Sequence, residues 1–142
     1  GLADDTQSSL DPIAVEPLIH EILRERAEAQ RVLSISVNVA IEPALPPVSW
    51  PEASLRDWIA TAIVASETAL LGSARRRIGV RGGLDGGLAV LTVAYDGVPI
   101  GIVPSESELR GASISVIRTD DGRTIRRLAI PLTISASAHV PS

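Results

Sequence analysis

The 142-residue sequence contains no cysteine, methionine, phenylalanine or lysine. Without cysteine there are no disulfides, no thiolate catalysis and no cysteine-ligated zinc or iron–sulfur site. The lack of Met is expected of a piece cut from a longer chain. All 13 basic residues are Arg, and the formal net charge is −4. That balance argues against a nucleic-acid footprint, which needs a basic face. The aromatics are Trp50, Trp58 and Tyr95, too few for base stacking, so the core is expected to be aliphatic. No apolar run is long enough to cross a membrane, and no signal-peptide pattern is visible. The sole Asn is Asn38.

What is present reads as one globular domain, with 45% hydrophobic and 21% charged residues. Residues 1–12 (GLADDTQSSLDP) are polar and aperiodic, a linker remnant; 13–135 form the domain; 136–142, with His139, form a tail. Asp11 and Pro12 look like a helix start. Val15, Leu18, Ile19, Ile22 and Leu23 then recur at helical spacing, which predicts a helix over 13–31. Leu33, Ile35, Val37, Val39 and Ile41 alternate with small polar residues, a strand over 33–41. A proline-rich connection leads to a second, more apolar helix over 53–71, stopped near Gly72. Strands follow at 75–82, 88–95, 112–118 and 124–135. The turns between them are GGLDGG at 82–87 and TDDG at 119–122, and 96–111 reads as a loop. The fold class is α+β: a two-layer α/β sandwich, with a mixed, mostly antiparallel sheet of about five strands and both helices on one face. Expected core positions are Leu18, Ile22, Val37, Ile59, Ile63, Val80, Val90, Val93, Ile114 and Ile130.

This order resembles the ATP-binding (catalytic) domain of sensor histidine kinases, part of the gyrase-type ATPase family, over nearly the whole chain. DPIAVEPLIHEILRERAEAQRV is similar to the segment where the family's dimerisation helices hand over to that domain. VNVAIEPALPPVSWPEASLRDWIATAIVASETAL resembles its strand, connection and nucleotide-site helix. VAYDGVPIG sits where the family has a first glycine box of the form DxGxG. GASISVIRTDDGRTIRRLAIPL resembles the closing hairpin.

The resemblance implies site residues, and the chain departs from several. The family's helix carries an Asn that holds the nucleotide's magnesium; the matching positions here are Thr61 and Ala65, and alanine ligates nothing. Glu67 is the nearest stand-in, about 200° further round the helix. Asp96 falls where an Asp accepts a hydrogen bond from the adenine amino group, followed by Gly97. The box glycines have become Val98 and Ile100. Too few residues follow for a lid and second glycine loop. Val98, Ile100, Ile102 and Val103 are expected to fill the vacated pocket. The vestigial nucleotide-binding set is thus Asp96, Gly97 and Glu67, with no catalytic residue and no metal ligand.

Simpler readings compete at each position. Asp96-Gly97 is an ordinary turn, and His20 sits on the polar side of the first helix, whereas the family's phospho-acceptor lies on preceding helices. Ser66 and Glu67 point apart and lack a histidine. Trp50 and Trp58 pack the connection onto the second helix. Arg75, Arg76, Arg77 and Arg81 read as a charge-guarded sheet edge, or as a docking patch for an acidic partner. The reading is a degenerate histidine-kinase ATP-binding-like domain of a two-component protein, acting as a regulatory or docking module. Its partners are a response regulator or other two-component protein and the upstream dimerisation helices. No cofactor is expected, the location is cytoplasmic, and the chain alone is a monomer or weak dimer. The alternatives are a divergent, active domain using ATP with Mg2+, and an unrelated α+β interaction domain.

Overall fold

The computed structural model describes residues 12–97, 106–109 and 111–132. All but Pro12 of the linker remnant 1–12, the apolar loop residues 98–105 and the tail with His139 lie outside the described residues. Two helices, α1 (Val15–Val32) and α2 (Glu52–Leu70), cover one face of a sheet. Its strands are β1 (Ser36–Ile41), β2 (Arg77–Asp85), β3 (Leu88–Asp96), β4 (Glu106–Leu109), β5 (Ala112–Arg118) and β6 (Arg123–Pro131). The strand order is β1-β2-β3-β6-β5-β4. β1 pairs parallel to β2 across the α2 connection, and all other pairs are antiparallel. This is the expected α+β sandwich with one more strand. The addition, β4, falls inside the segment read as a loop over 96–111. It is a short edge strand carrying Glu106 and Glu108, and so gives no alternating apolar signal.

Local chemistry moves several boundaries. Ile13 makes a two-way bridge with Val48, at 2.8 and 3.0 Å, so α1 begins only at Val15. At its other end Ile35 N–H donates to Gln30 O at 2.8 Å and Ser34 N–H to Arg31 O at 3.1 Å, a Schellman pattern. Ser34 takes φ +58°, and β1 starts three residues later than the alternation suggests. β2 runs on to Asp85, which confines the hairpin turn to Gly86 and Gly87, at φ +56° and +84°. Gly82 therefore lies within a strand, where a Cβ would meet Ile41 and Leu91 side chains at 3.0 and 3.1 Å.

The core is aliphatic, joined by Trp50 and Tyr95. Leu18, Ile22, Ile59, Ile63, Val80, Val93 and Ile130 are buried as expected, and Val37 and Ile114 pack against them half-buried. Val90 is the exception. β3 buries Ala89, Leu91, Val93 and Tyr95, so the pleat turns Val90 to the opposite, helix-free face. β2 is also no edge: β1 and β3 flank it, and the arginine run does not guard an outer strand.

Candidate functional site

A ligand touching both α2 and the end of β3 must lie on the helix side of the sheet. The β3 residue on that side is Tyr95, not Asp96. Tyr95 is fully buried, and its hydroxyl accepts a hydrogen bond from Arg126 Nε at 3.0 Å. The Arg126 guanidinium stands 6.0 Å from the ring centre, within cation–π range. Asp96 points to the helix-free face, where Arg123, its partner across the β3–β6 ladder, approaches to 3.7 Å. Asp96, which the resemblance gives as the acceptor for an adenine amino group, thus stands one step of the pleat away from the α2 side.

Gly97 is fixed by the fold itself. It adopts φ +119°, and a Cβ there would approach Ala69 O at 3.4 Å. Its N–H donates to Gly122 O at 3.0 Å, and its carbonyl accepts from the Thr124 hydroxyl at 2.5 Å. Ala69 stands in line with Ala65 and Thr61 at spacings of four along α2. The helix stripe that reaches Gly97 thus carries two alanines and one hydroxyl, with no carboxylate or carboxamide. Glu67 faces α1 instead. Only 3% exposed, it accepts hydrogen bonds from Gln30 Nε2 at 2.9 Å and from Arg26, with which it forms an ion pair. The Glu67 hydrogen bond raises the Arg26 guanidinium above its ordinary pKa, against the opposing effect of desolvation. The structure therefore does not bring Glu67, Asp96 and Gly97 together around one space. Among the described residues, no three His, Asp or Glu side chains stand close enough to hold a metal ion.

No protein-family model and no curated protein sequence matches the chain. Solved structures do. The histidine kinase AdeS of Acinetobacter baumannii superposes with a TM-score of 0.65 at 9% identity, over 86% of this chain and 66% of that one. The nucleotide-free catalytic domain of histidine kinase ThkA gives 0.68 at 13% identity, over 84% of this chain and 95% of that one. Full-length ShkA in complex with AMPPNP gives 0.68 at 16% identity, over 87% of this chain and 31% of that one. The fold is that of histidine kinase catalytic domains. The chain spans just under two thirds of AdeS and about a third of ShkA.

Within this kinase-type fold the four arginines separate into different roles. Arg76 donates to Leu33 O at 2.8 Å, Leu71 O at 3.1 Å and Ser73 O at 3.4 Å. It thereby ties off carbonyls just past the ends of both helices. Arg75, Arg77 and Arg81 are exposed, and their guanidiniums have no hydrogen-bond or ion-pair partner among the described residues. Arg75 and Arg77 line a groove of about 600 Å³ together with Ser73, Asp96, Asp121 and Arg123. The Thr119 hydroxyl, donating to Asp121, holds that carboxyl below its ordinary range.

The remaining sequence candidates take structural places in this kinase-type fold. His20 is exposed on α1, 3.6 Å from Glu16. The buried Ser66 hydroxyl donates to Ala62 O at 2.6 Å, so Ser66 and Glu67 form no nucleophile–base pair. Trp50 is buried in the core and Trp58 packs against it. The sequence reading missed Tyr95 and Arg126. Tyr95 falls on the buried face once Ala89, Leu91 and Val93 are placed there, and Arg126 follows only from its register opposite Val93 on β6.

Proposed function

We propose that this chain is a degenerate histidine-kinase ATP-binding-like domain of a two-component signalling protein. It serves as a regulatory or docking module without kinase activity of its own. The observation that carries this reading is Tyr95. Its ring and the Arg126 guanidinium take up the helix-side end of β3, while the neighbouring carboxylate of Asp96 lies on the far face. Ala65, in the stripe that leads to Gly97, adds no oxygen ligand for a cation. The reading implies no resident cofactor, a cytoplasmic location, and a response regulator or another two-component protein as partner. Arg75, Arg77 and Arg81 are the docking residues. Arg76 belongs to this set by position, though its donors already hold main-chain carbonyls.

A fluorescent ATP analogue and thermal unfolding, each with and without magnesium, test the reading. A ligand at a hundred times its dissociation constant would stabilise the fold by about 2.7 kcal/mol. The expected result is no shift and no binding. Saturable, magnesium-dependent binding, or phosphate appearing on His20, would overturn it.

A further inference from the structure

The helix-free face of the sheet has an order that the nucleotide question leaves unused. Register places its outward side chains in rows across the strands. Asp96 and Arg123 pair in one row, with Arg77 lining the same groove, and a second row runs Ala40, Arg81, Thr92, Arg127. Between them lies an uncharged row of Asn38, Gly79, Ala94 and Ile125. The result is a trough of about 440 Å³, floored by uncharged residues and walled by guanidiniums. Arg123 is shared with Asp96 and Arg127 with Asp85, but Arg77 and Arg81 have no partner for their charges among the described residues. Asp96 and Asp85 stand within ion-pair range of Arg123 and Arg127, whereas Glu42 beside Arg81 and Asp121 beside Arg77 line the adjoining grooves without forming an ion pair with either arginine.

Gly79 supplies the second observation. A glycine inside a strand weakens it, and it marks a bulge or a place where something comes close to the backbone. β2 continues its register through Gly79 without a bulge, its φ is not positive, and a Cβ built there meets nothing within 4 Å. Nothing within the fold asks for glycine at this position, in contrast to Gly82, which is packed between side chains. What Gly79 does is keep the trough open to the main chain.

We infer that this trough docks an acidic protein segment, whose carboxylates pair with Arg77 and Arg81 on the two walls while its small side chains rest over Gly79 and Ala94. Charge complementarity selects the occupant. The walls offer planar, forked donors suited to carboxylates. Arg77 and Arg81 are four residues apart on one strand, about 13 Å at the usual rise. That width admits a single helix or extended strand and no wider body. The inference rests on the docking half of the reading above and is independent of whether ATP binds.

The probe is a labelled twenty-residue Glu/Ala peptide, with a Gln/Ala peptide and a single-stranded oligonucleotide of equal charge as comparators, followed by fluorescence anisotropy at low and physiological salt. The expected result is salt-sensitive binding of the Glu/Ala peptide alone, weakened at least tenfold by R77E/R81E. Gly79→Leu, which alters no charge, should weaken it comparably. R24E/R31E on α1 should leave it unchanged. R77Q/R81Q, with circular dichroism and melting as folding controls, covers the case in which the reversed charges unfold the sheet. No binding of the Glu/Ala peptide would overturn the trough. Equal binding of the oligonucleotide, or indifference to both Gly79→Leu and the Arg77/Arg81 variants, would do the same. A trough that fails in this way leaves the nucleotide result standing, and a response regulator sensitive to Arg75→Glu alone would relocate docking to the neighbouring groove.

Discussion

Buried polar side chains disclose their cost when one partner is removed, and Glu67 is the clearest case. Its carboxylate is held out of water by Gln30 and Arg26. Glu67→Ala removes charge-assisted hydrogen bonds and is expected to cost about 1–3 kcal/mol, read from urea unfolding. Arg26→Ala should cost more than Glu67→Gln, because it strands a buried carboxylate with only Gln30 for company. Asp121 offers a pH test at the same scale. Its folded pKa is lowered by the Thr119 hydroxyl, so its contribution is fully present above the ordinary Asp value, about 3.9. That contribution is lost as pH falls through the depressed folded value. NMR titration of the Asp121 carboxyl should give a midpoint below the ordinary one, and Thr119→Val should move it back up. Neither residue's role was legible in the sequence. Glu67 is the one charged residue of α2 beyond Asp57, and only the packing of α1 on α2 decides what it faces. Asp96 misled for a related reason: in LAVLTVAYD both faces are largely apolar, so alternation alone does not say which is inside.

At the level of elements, the two helices were readable because a 3.6-residue apolar period over eighteen residues has few competing explanations. Their ends were less so. The Schellman closure of α1 forces Ser34 into left-handed backbone, a conformation costing an ordinary residue roughly 1–2 kcal/mol. Ser34→Gly relieves that strain at some cost in unfolded-chain entropy, with a net gain of about 0.5–1 kcal/mol and a higher melting temperature expected. An unchanged or lower melting temperature would mean that the Ser34 side chain supplies something glycine cannot. The same logic separates β2's glycines. Gly82→Ala should destabilise, since its Cβ meets two core side chains, whereas Gly79→Ala should be neutral or mildly stabilising. β4 remained invisible because a four-residue edge strand with two glutamates carries neither length nor alternation.

For the whole molecule, the decisive asymmetry is between the two faces of one sheet. α1 and α2 close the aliphatic core on one side, and the other side carries small and charged residues with a few aliphatic ones such as Val90 and Ile125. The fold class was legible from the order of elements, because helix–strand–helix followed by strands admits few layered solutions. The face on which each β3 side chain falls was not. Ile59→Ala or Ile63→Ala should cost about 2–5 kcal/mol, as both are fully buried between the layers. Near-zero costs at both would mean that α2 is not seated on the sheet. Sedimentation at micromolar concentration is expected to show a monomer or weak dimer, since most large apolar residues are taken up by one core and the exposed ones among the described residues, such as Val32, Leu84 and Ile117, are scattered along the chain.

The pairing of Asp96 with Arg123 joins the ends of β3 and β6, while the chain between them returns to the same sheet as β5 and β4, on the far side of β6. The stretch of chain from Asp96 to β4 therefore links two strands that are each held by their own ladders, and such a link can change length without breaking either ladder. Loop-closure entropy grows only logarithmically, so doubling such a segment costs about 0.6 kcal/mol. A chain of this topology can therefore gain or lose residues between β3 and β4 in one insertion or deletion and still fold. In this architecture, the length of that link and the ability to fold are inherited separately.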